Sequence, residues 1–573
     1  VIDPVTLAVL KGRLEQIADE MDATLFRSAF NPIIAEAHDA CHGLYDAATG
    51  ATLIQGKSGL PIFVGVMAFA VRAVMDKFAD TVVDGDVFIF NDPYLGGTHL
   101  SDFRLVRPHF RDGKLFCWLG SVGHWHDVGG NVPGNYNPAA TECFQEGMLI
   151  PPVRLSAGGR TRQDVIDIIL ANTRLPTSAW GDLNGQINAL DLGAKRLDAL
   201  LAEYGAGTVA EALGELRARA GAMMRSLIAE LPDGTWSMED FLDNDGRTDV
   251  PLKVALDLTV RGDRMTLDFS RSSPACAGPV NIALSTTVAS CYVALKHLFR
   301  DVPANAGVMD PIEVVVADGS FLNVKAPKPV GGYTETILRI IDVLFSIFEQ
   351  VKPAITNGQA YGTINALSIA GHRPNGARWV MFSFYGGGHG GNPEGDGLNH
   401  GNAPISTATI PPVEILEAAY PVRFTQWALR PDSGGAGTHR GGLGAIYEIE
   451  VMNPEAEGFV FGERARFRPK GVLGGGEAAP TRFSYQTADG WAEPPLGAKM
   501  VGIRLSRGRR VRLETPGGGG WGDPLVRDPA AVARDVTLGY VTAQAARDLY
   551  RVAVDAHGTL DTVATARLRG TGA

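Results

Sequence analysis

The chain has 573 residues, more than one ordinary hydrophobic core accommodates, and length alone predicts about two to four domains. With 45% hydrophobic and 20% charged residues it is a globular sequence and not a disordered one. Its 63 acidic and 52 basic side chains leave a net charge of -11, which argues against nucleic acid or an anionic membrane as partner.

Asp3-Pro4 reads as an N-cap with proline in the first helical turn. Leu7, Val9, Leu10, Leu14, Ile17, Met21 and Leu25 recur near the helical period and predict one long helix to about Arg27. LYD and TLIQG, joined by a turn, predict a hairpin, and PIFVGVMAFAVRAVMDKF a buried helix. DGDVFIFNDP is a short buried strand. RLVRPHF and KLFCWLGSV, joined by Arg111-Asp112-Gly113, form a second hairpin candidate. From Gln163 to Leu231 the pattern is helical; from Gly234 to Phe269 short strands take over. A helix is expected near Ile282 to Phe299, and another over TETILRIIDVLFSIFEQV. The remainder to about Arg512 reads as β-rich, and a helical tail follows.

Strands and helices do not alternate regularly, so the expected class is α+β. The shifts in pattern divide the chain into five regions: an N-terminal α+β region (1–160), a helical region (161–233), a mixed α+β region (234–380), a β-rich region of glycine loops (381–525) and a helical tail (526–573). No apolar run reaches the roughly 18 residues of a membrane span, and the first residues do not read as a signal peptide. Cys41, Cys117, Cys143, Cys276 and Cys291 are scattered and odd in number, which predicts buried thiols in a reducing, cytoplasmic setting. The 70 glycines cluster in GGYTET, YGGGHGG, DSGGAGTHRGGLG, VLGGGE and TPGGGGWGD, and predict tight turns or loops packed against other backbone.

The chemistry concentrates between Asn91 and Gly130. NDPYLGGTHLSDF supplies His99 and Asp102; SVGHWHDVGG supplies His124, His126 and Asp127. Imidazole and carboxylate are ligands for zinc, manganese and ferrous iron, and two His with one carboxylate leave coordination positions open for water or substrate. The same residues also suit turns, caps and a polar cluster at a strand end. A 2-His-1-carboxylate iron oxygenase and a noncatalytic scaffold both remain open on these residues. His38, Asp39 and His42 form a second local group without a helical pattern to support it. His389 and His439 are flanked by glycine and read as turn residues. The chain contains no phosphate-binding loop of the G-x-x-x-x-G-K-[ST] type, no dinucleotide fingerprint and no G-x-S-x-G elbow.

NDPYLGGTHLSDF, GHWHDVGG, FQEGMLIPP, RPDSGGAGTHRGGLG and TPGGGGWGDP, in this order over nearly the whole chain, resemble the hydantoinase B/oxoprolinase family. That family takes in the B-type half of ATP-dependent N-methylhydantoinase, caprolactamase and the alpha-type half of acetone carboxylase. The resemblance implies a metal (Mn, Zn or Fe) held by His99, Asp102 and His124. It implies ATP held on a partner, a hydantoinase A-type ATPase subunit that phosphorylates the substrate's carbonyl oxygen, in a hetero-oligomer such as a dimer of heterodimers. This chain would then open the activated cyclic amide with water; in the ketone carboxylases of the family the second step is instead carbon–carbon bond formation. Asp127 matches an acidic family position and His126 stands where the pattern has a smaller residue. Both are candidate catalytic residues, acting as base or as orienter of a ligand. EAHDACHGLYD departs from the family's Glu-Arg-x-Asp-plus-Ser pattern, which marks a different substrate.

Overall fold

A computed structural model describes residues 2–406, 409–555 and 557–570. The chain forms two compact units, the first of Val1–Thr235, Ala255–Ile340 and Ile405–Pro411, the second of Trp236–Val254, Ile341–Pro404 and Pro412–Ala573. Both carry helices and sheets, and the fold is α+β.

The first unit is built on a seven-stranded antiparallel sheet of order β2-β1-β5-β4-β3-β6-β7. Its strands are β1 (Ala40–Asp46), β2 (Thr52–Gln55), β3 (Val87–Phe90), β4 (Asp102–Arg111), β5 (Lys114–His124), β6 (Val153–Ala157) and β7 (Arg160–Thr161). Both expected hairpins are present, β1–β2 and β4–β5, the latter turning at Asp112 and Gly113, each with positive φ. The first helix runs Pro4–Ser28; the Asp3 carboxylate accepts the N–H groups of Val5 and Thr6, and Leu7, Leu10, Leu14, Ile17, Met21 and Leu25 are buried.

That helix pairs with Pro176–Tyr204 on one face of the sheet, where Gln186 lies against Gly123 of β5. Pro61–Phe78 covers the other face with Met67 against Gly120, and it meets Leu284–Leu298 where a Cβ on Gly65 would stand 2.6 Å from the Cβ of Ala289. Burying both faces explains why β5 reads as a nearly continuous apolar run and not as an alternating one. No helix among the described residues is long and apolar enough to cross a membrane.

The second unit shares one apolar core between a four-stranded and a five-stranded sheet, with Leu367, Ile369, Val460 and Ile503 meeting Tyr447, Ile449, Val511 and Leu513. Beside it the glycine clusters lie backbone to backbone. Gly518 N–H donates to Gly442 C=O at 2.9 Å, Gly391 N–H to Gly519 C=O at 2.9 Å and Gly520 N–H to Gly476 C=O at 3.0 Å. A Cβ on Gly441 would stand 1.8 Å from the Gly518 carbonyl oxygen, so hydrogen atoms are the only side chains that fit. The helical tail comprises Pro529–Thr537, Ala543–Tyr550 and a third helix, Thr562–Arg569, that periodicity did not reveal.

Candidate metal centre

Asp102 opens β4 and His124 closes β5, and the two are direct partners in the β4–β5 register. Directly opposed residues of an antiparallel pair project to the same face, so register alone brings this carboxylate and this imidazole together. His99 joins them from the turn that leads into β4. His99 Nε2 lies 3.0 Å from Asp102 Oδ1 and 3.2 Å from His124 Nδ1, and His124 Nδ1 lies 3.0 Å from Asp102 Oδ1. All three residues are buried, at 1%, 0% and 3% exposure. Among the described residues they are the one group of three or more His, Cys, Asp or Glu side chains whose ligand atoms converge.

The surroundings hold this triangle in place. The Thr98 hydroxyl donates to Asp102 Oδ2. The buried Arg104 guanidinium donates to Thr98 Oγ1 at 2.8 Å and to the Asp102 carbonyl at 2.7 Å. Asn31 Nδ2 donates to the His124 carbonyl at 2.8 Å. Burial by itself would raise the Asp102 carboxyl, but the charge of His99 and the hydrogen bonds with His124 and His99 outweigh it and hold the group well below the usual carboxylate range. The rings of Tyr333 and Tyr136 stand over His99 with centroids 4.8 Å and 5.3 Å away.

The donor set fits a borderline or hard divalent cation. Two imidazole nitrogens and one carboxylate oxygen, 3.0–3.2 Å apart, have the spacing of adjacent ligand atoms on a metal with bonds of about 2.1 Å. A further carboxylate lies beside them. Asp39 accepts the His124 N–H on its own backbone carbonyl at 3.1 Å, and its Oδ1 is shut off from solvent without a hydrogen-bond partner. Burial pushes the Asp39 carboxyl up to about 7, against the attraction of His124.

The other candidates fall elsewhere. Asp127 lies in the loop after β5, where its carboxylate accepts the N–H groups of Gly129 at 3.1 Å, Gly134 at 3.3 Å and Arg174 at 3.0 Å, and pairs with the Arg174 guanidinium at 3.0 Å. That engagement anchors the loop that follows β5. β5 ends at His124, so His126 leaves the strand; it is buried but outside the converging trio. His42 is taken up in a hydrogen-bond chain, with Nδ1 2.7 Å from Asp22 Oδ1 and Nε2 2.9 Å from Ser121 Oγ. His38, with φ 60°, stacks on Phe26. In the second unit His389 Nε2 meets the Asn402 carbonyl and His439 faces Trp521. All five cysteines are buried thiols. Sequence reasoning had Asp39 only as a member of the local His38–His42 group; nothing in spacing joined it to residues some sixty positions later.

Comparison with known proteins agrees with this architecture. The hydantoinase B/oxoprolinase family model matches residues 3–524. The chain is 33% identical to the beta subunit of caprolactamase from Pseudomonas jessenii over 98% of each chain. It is 29% identical to the B subunit of a putative D-/L-hydantoinase from a Pseudomonas species, over 99% of this chain and 98% of the relative. The crystal structure of the ATP-dependent caprolactamase from Pseudomonas jessenii superimposes with a TM-score of 0.90 at 32% identity, covering all of both chains. The chain belongs to the hydantoinase B/oxoprolinase family.

Proposed function

We propose that this chain is the metal-binding, B-type subunit of an ATP-dependent cyclic-amide hydrolase, acting on a hydantoin-like or lactam substrate whose carbonyl oxygen a partner ATPase subunit has phosphorylated. The observation that carries this is the convergence of His99 Nε2, Asp102 Oδ1 and His124 Nδ1 within 3.2 Å, in a chain of this family. The relatives, the beta subunit of a caprolactamase and the B subunit of a putative hydantoinase, support the substrate class and the existence of a partner.

An amide is a poor electrophile. Phosphorylation turns its oxygen into a leaving group, and what remains is to supply and deprotonate a nucleophile. His99, Asp102 and His124 would hold a divalent cation, which when bound would supply the Lewis acidity that lowers the pKa of water toward neutrality. Thr98 and Arg104 fix the Asp102 carboxylate, so one of its oxygens faces the histidines. Asp39, enclosed beside His124 with Oδ1 unpartnered, is placed either to complete the ligand set or to accept the proton of the attacking water. Tyr136 and Tyr333 wall the site and exclude bulk water from an activated acyl group.

The test is metal content and turnover together. About one cation per chain, lost in the His99→Ala/His124→Ala double variant, together with ATP-dependent opening of a lactam or hydantoin by the complex, is the expected result. Retention of metal in the double variant removes the site. Turnover that consumes bicarbonate into a new carboxylate product would assign the chain to the carboxylases instead.

A further inference from the structure

A chain of buried hydrogen bonds runs behind the metal centre, and its polarity is set by one group. The Trp125 indole N–H can only donate, and it donates to Gln186 Oε1 at 2.9 Å. The Gln186 amide nitrogen must therefore face the other way, and it donates to the Phe103 carbonyl at 3.1 Å and to Ser121 Oγ at 3.2 Å. Ser121, already an acceptor, turns its hydroxyl hydrogen to His42 Nε2, and His42 Nδ1–H then donates to Asp22. Gln186, Ser121, His42 and Trp125 are all fully buried, and Asp22 is 1% exposed.

Two of these contacts fall on the residues that follow metal ligands. Phe103 follows Asp102 and Trp125 follows His124. Their rings stack with centroids 4.0 Å apart and planes 14° apart, so the Gln186 amide ties both ends of one stacked pair. Besides Asp182, whose carboxylate is taken up by the Phe30 and Asn31 N–H groups, the helix that carries Gln186 buries the apolar Leu183, Ala189, Leu190, Ala194 and Leu197. A buried apolar side chain in place of the amide would need no partners of its own, but it would leave the buried Trp125 N–H without its acceptor. The amide adds a fixed separation and orientation between β4 and the end of β5.

We propose that Gln186 is a positioning residue for the His99–Asp102–His124 centre, setting through Phe103 and Trp125 the angle at which Asp102 and His124 meet a cation. This rests on the metal reading above and adds a determinant outside the ligand set. Hydrogen bonds made directly to metal ligands typically alter affinity about 10- to 100-fold, and Gln186, which acts through the residue next to each ligand, is expected at the lower end of that range.

The experiment titrates Co2+ into the metal-free chain and records affinity and the ligand-field absorption of the bound ion, with the thermal midpoint of the metal-free chain measured alongside. The variants are Gln186→Met, which keeps volume and removes the amide, and Trp125→Phe, which keeps the stack and removes the donor. Leu190→Ala, on the same helix, is a control for general loosening. The expected result is affinity weakened about tenfold or more and an altered absorption band in Gln186→Met, with a smaller change of the same kind in Trp125→Phe. Leu190→Ala should lower the midpoint and leave the band in place. Should Gln186→Met fail to fold, Trp125→Phe decides by itself. Wild-type affinity and absorption in the variants overturn the proposal, as does weakening that simply follows the loss of midpoint in all three. A wild-type chain that takes up no Co2+ overturns the metal reading and this proposal together, which separates the two failures.

Discussion

Asp182 offers the sharpest test of the electrostatics behind the site. Its Oδ1 accepts the N–H of Phe30 at 2.9 Å and of Asn31 at 3.1 Å, while Oδ2 has no partner. Asn31 in turn holds the His124 carbonyl. Burial pushes the Asp182 carboxyl from 3.8 up to about 7, because two backbone donors do not replace the lost hydration of a charge. In the folded chain the proton is therefore kept over a range where the unfolded chain has released it. The contribution of this group to stability is fully present below pH 3.8 and is lost as pH rises through about 7. At about 1.4 kcal/mol per pH unit, that span amounts to about 4 kcal/mol. Asp182→Asn keeps the oxygen that accepts both N–H groups and removes the charge. The variant should be close to wild type near pH 4 and gain on it steadily to about pH 7, with no further gain above. The assay is the thermal midpoint of the metal-free chain, taken as variant minus wild type at intervals between pH 4.5 and pH 8.5, so that other titrating groups cancel. A difference that stays flat, or that shrinks with rising pH, would refute the argument that burial outweighs the two backbone donors.

Asp102→Ala should weaken metal binding about 100-fold or more, read by elemental analysis after dialysis against a chelator. Asp39→Asn should leave the chain folded and reduce turnover of the complex by about 100-fold or more, as expected for a ligand or proton acceptor; turnover within twofold of wild type would remove Asp39 from the site. Arg174→Met leaves the buried Asp127 carboxylate without its cationic partner and should cost about 3 kcal/mol, seen as faster hydrogen exchange over the loop from Val128 to Gly134. Gly441→Ala places a methyl group 1.8 Å from the Gly518 carbonyl oxygen and should destabilise the second unit by about 3 kcal/mol or more, whereas Gly395→Ala, with no atom within 4 Å of the added methyl, should cost little.

Local physics was legible in the chain wherever one element sufficed to express it. The Pro4–Ser28 helix announced itself through Asp3, Pro4 and a helical run of apolar residues. The Pro61–Phe78 helix and the β4–β5 hairpin were equally plain, since a turn at Asp112 and Gly113 needs only its own residues. His99, Asp102 and His124 were legible as metal-ligand types in Gly-rich segments within thirty residues of one another. The family resemblance singled out these three from their neighbours His126 and Asp127.

What sequence could not decide depended on residues distant along the chain. Register placed Asp102 opposite His124, and β5 ended there, short of His126. Arg174, 47 residues further on, captured Asp127 and made it an anchor. Asp39 came to lie beside His124 because β1 pairs with β5, and both nitrogens of His42 were taken up by Asp22 and Ser121. The glycine clusters predicted close backbone approach, but which segments approach each other was decided by packing. Periodicity, capping and turn chemistry are nearest-neighbour properties that the sequence carries by itself. The role of a titratable side chain depends on which charges and donors surround it, and only the folded chain brings those together.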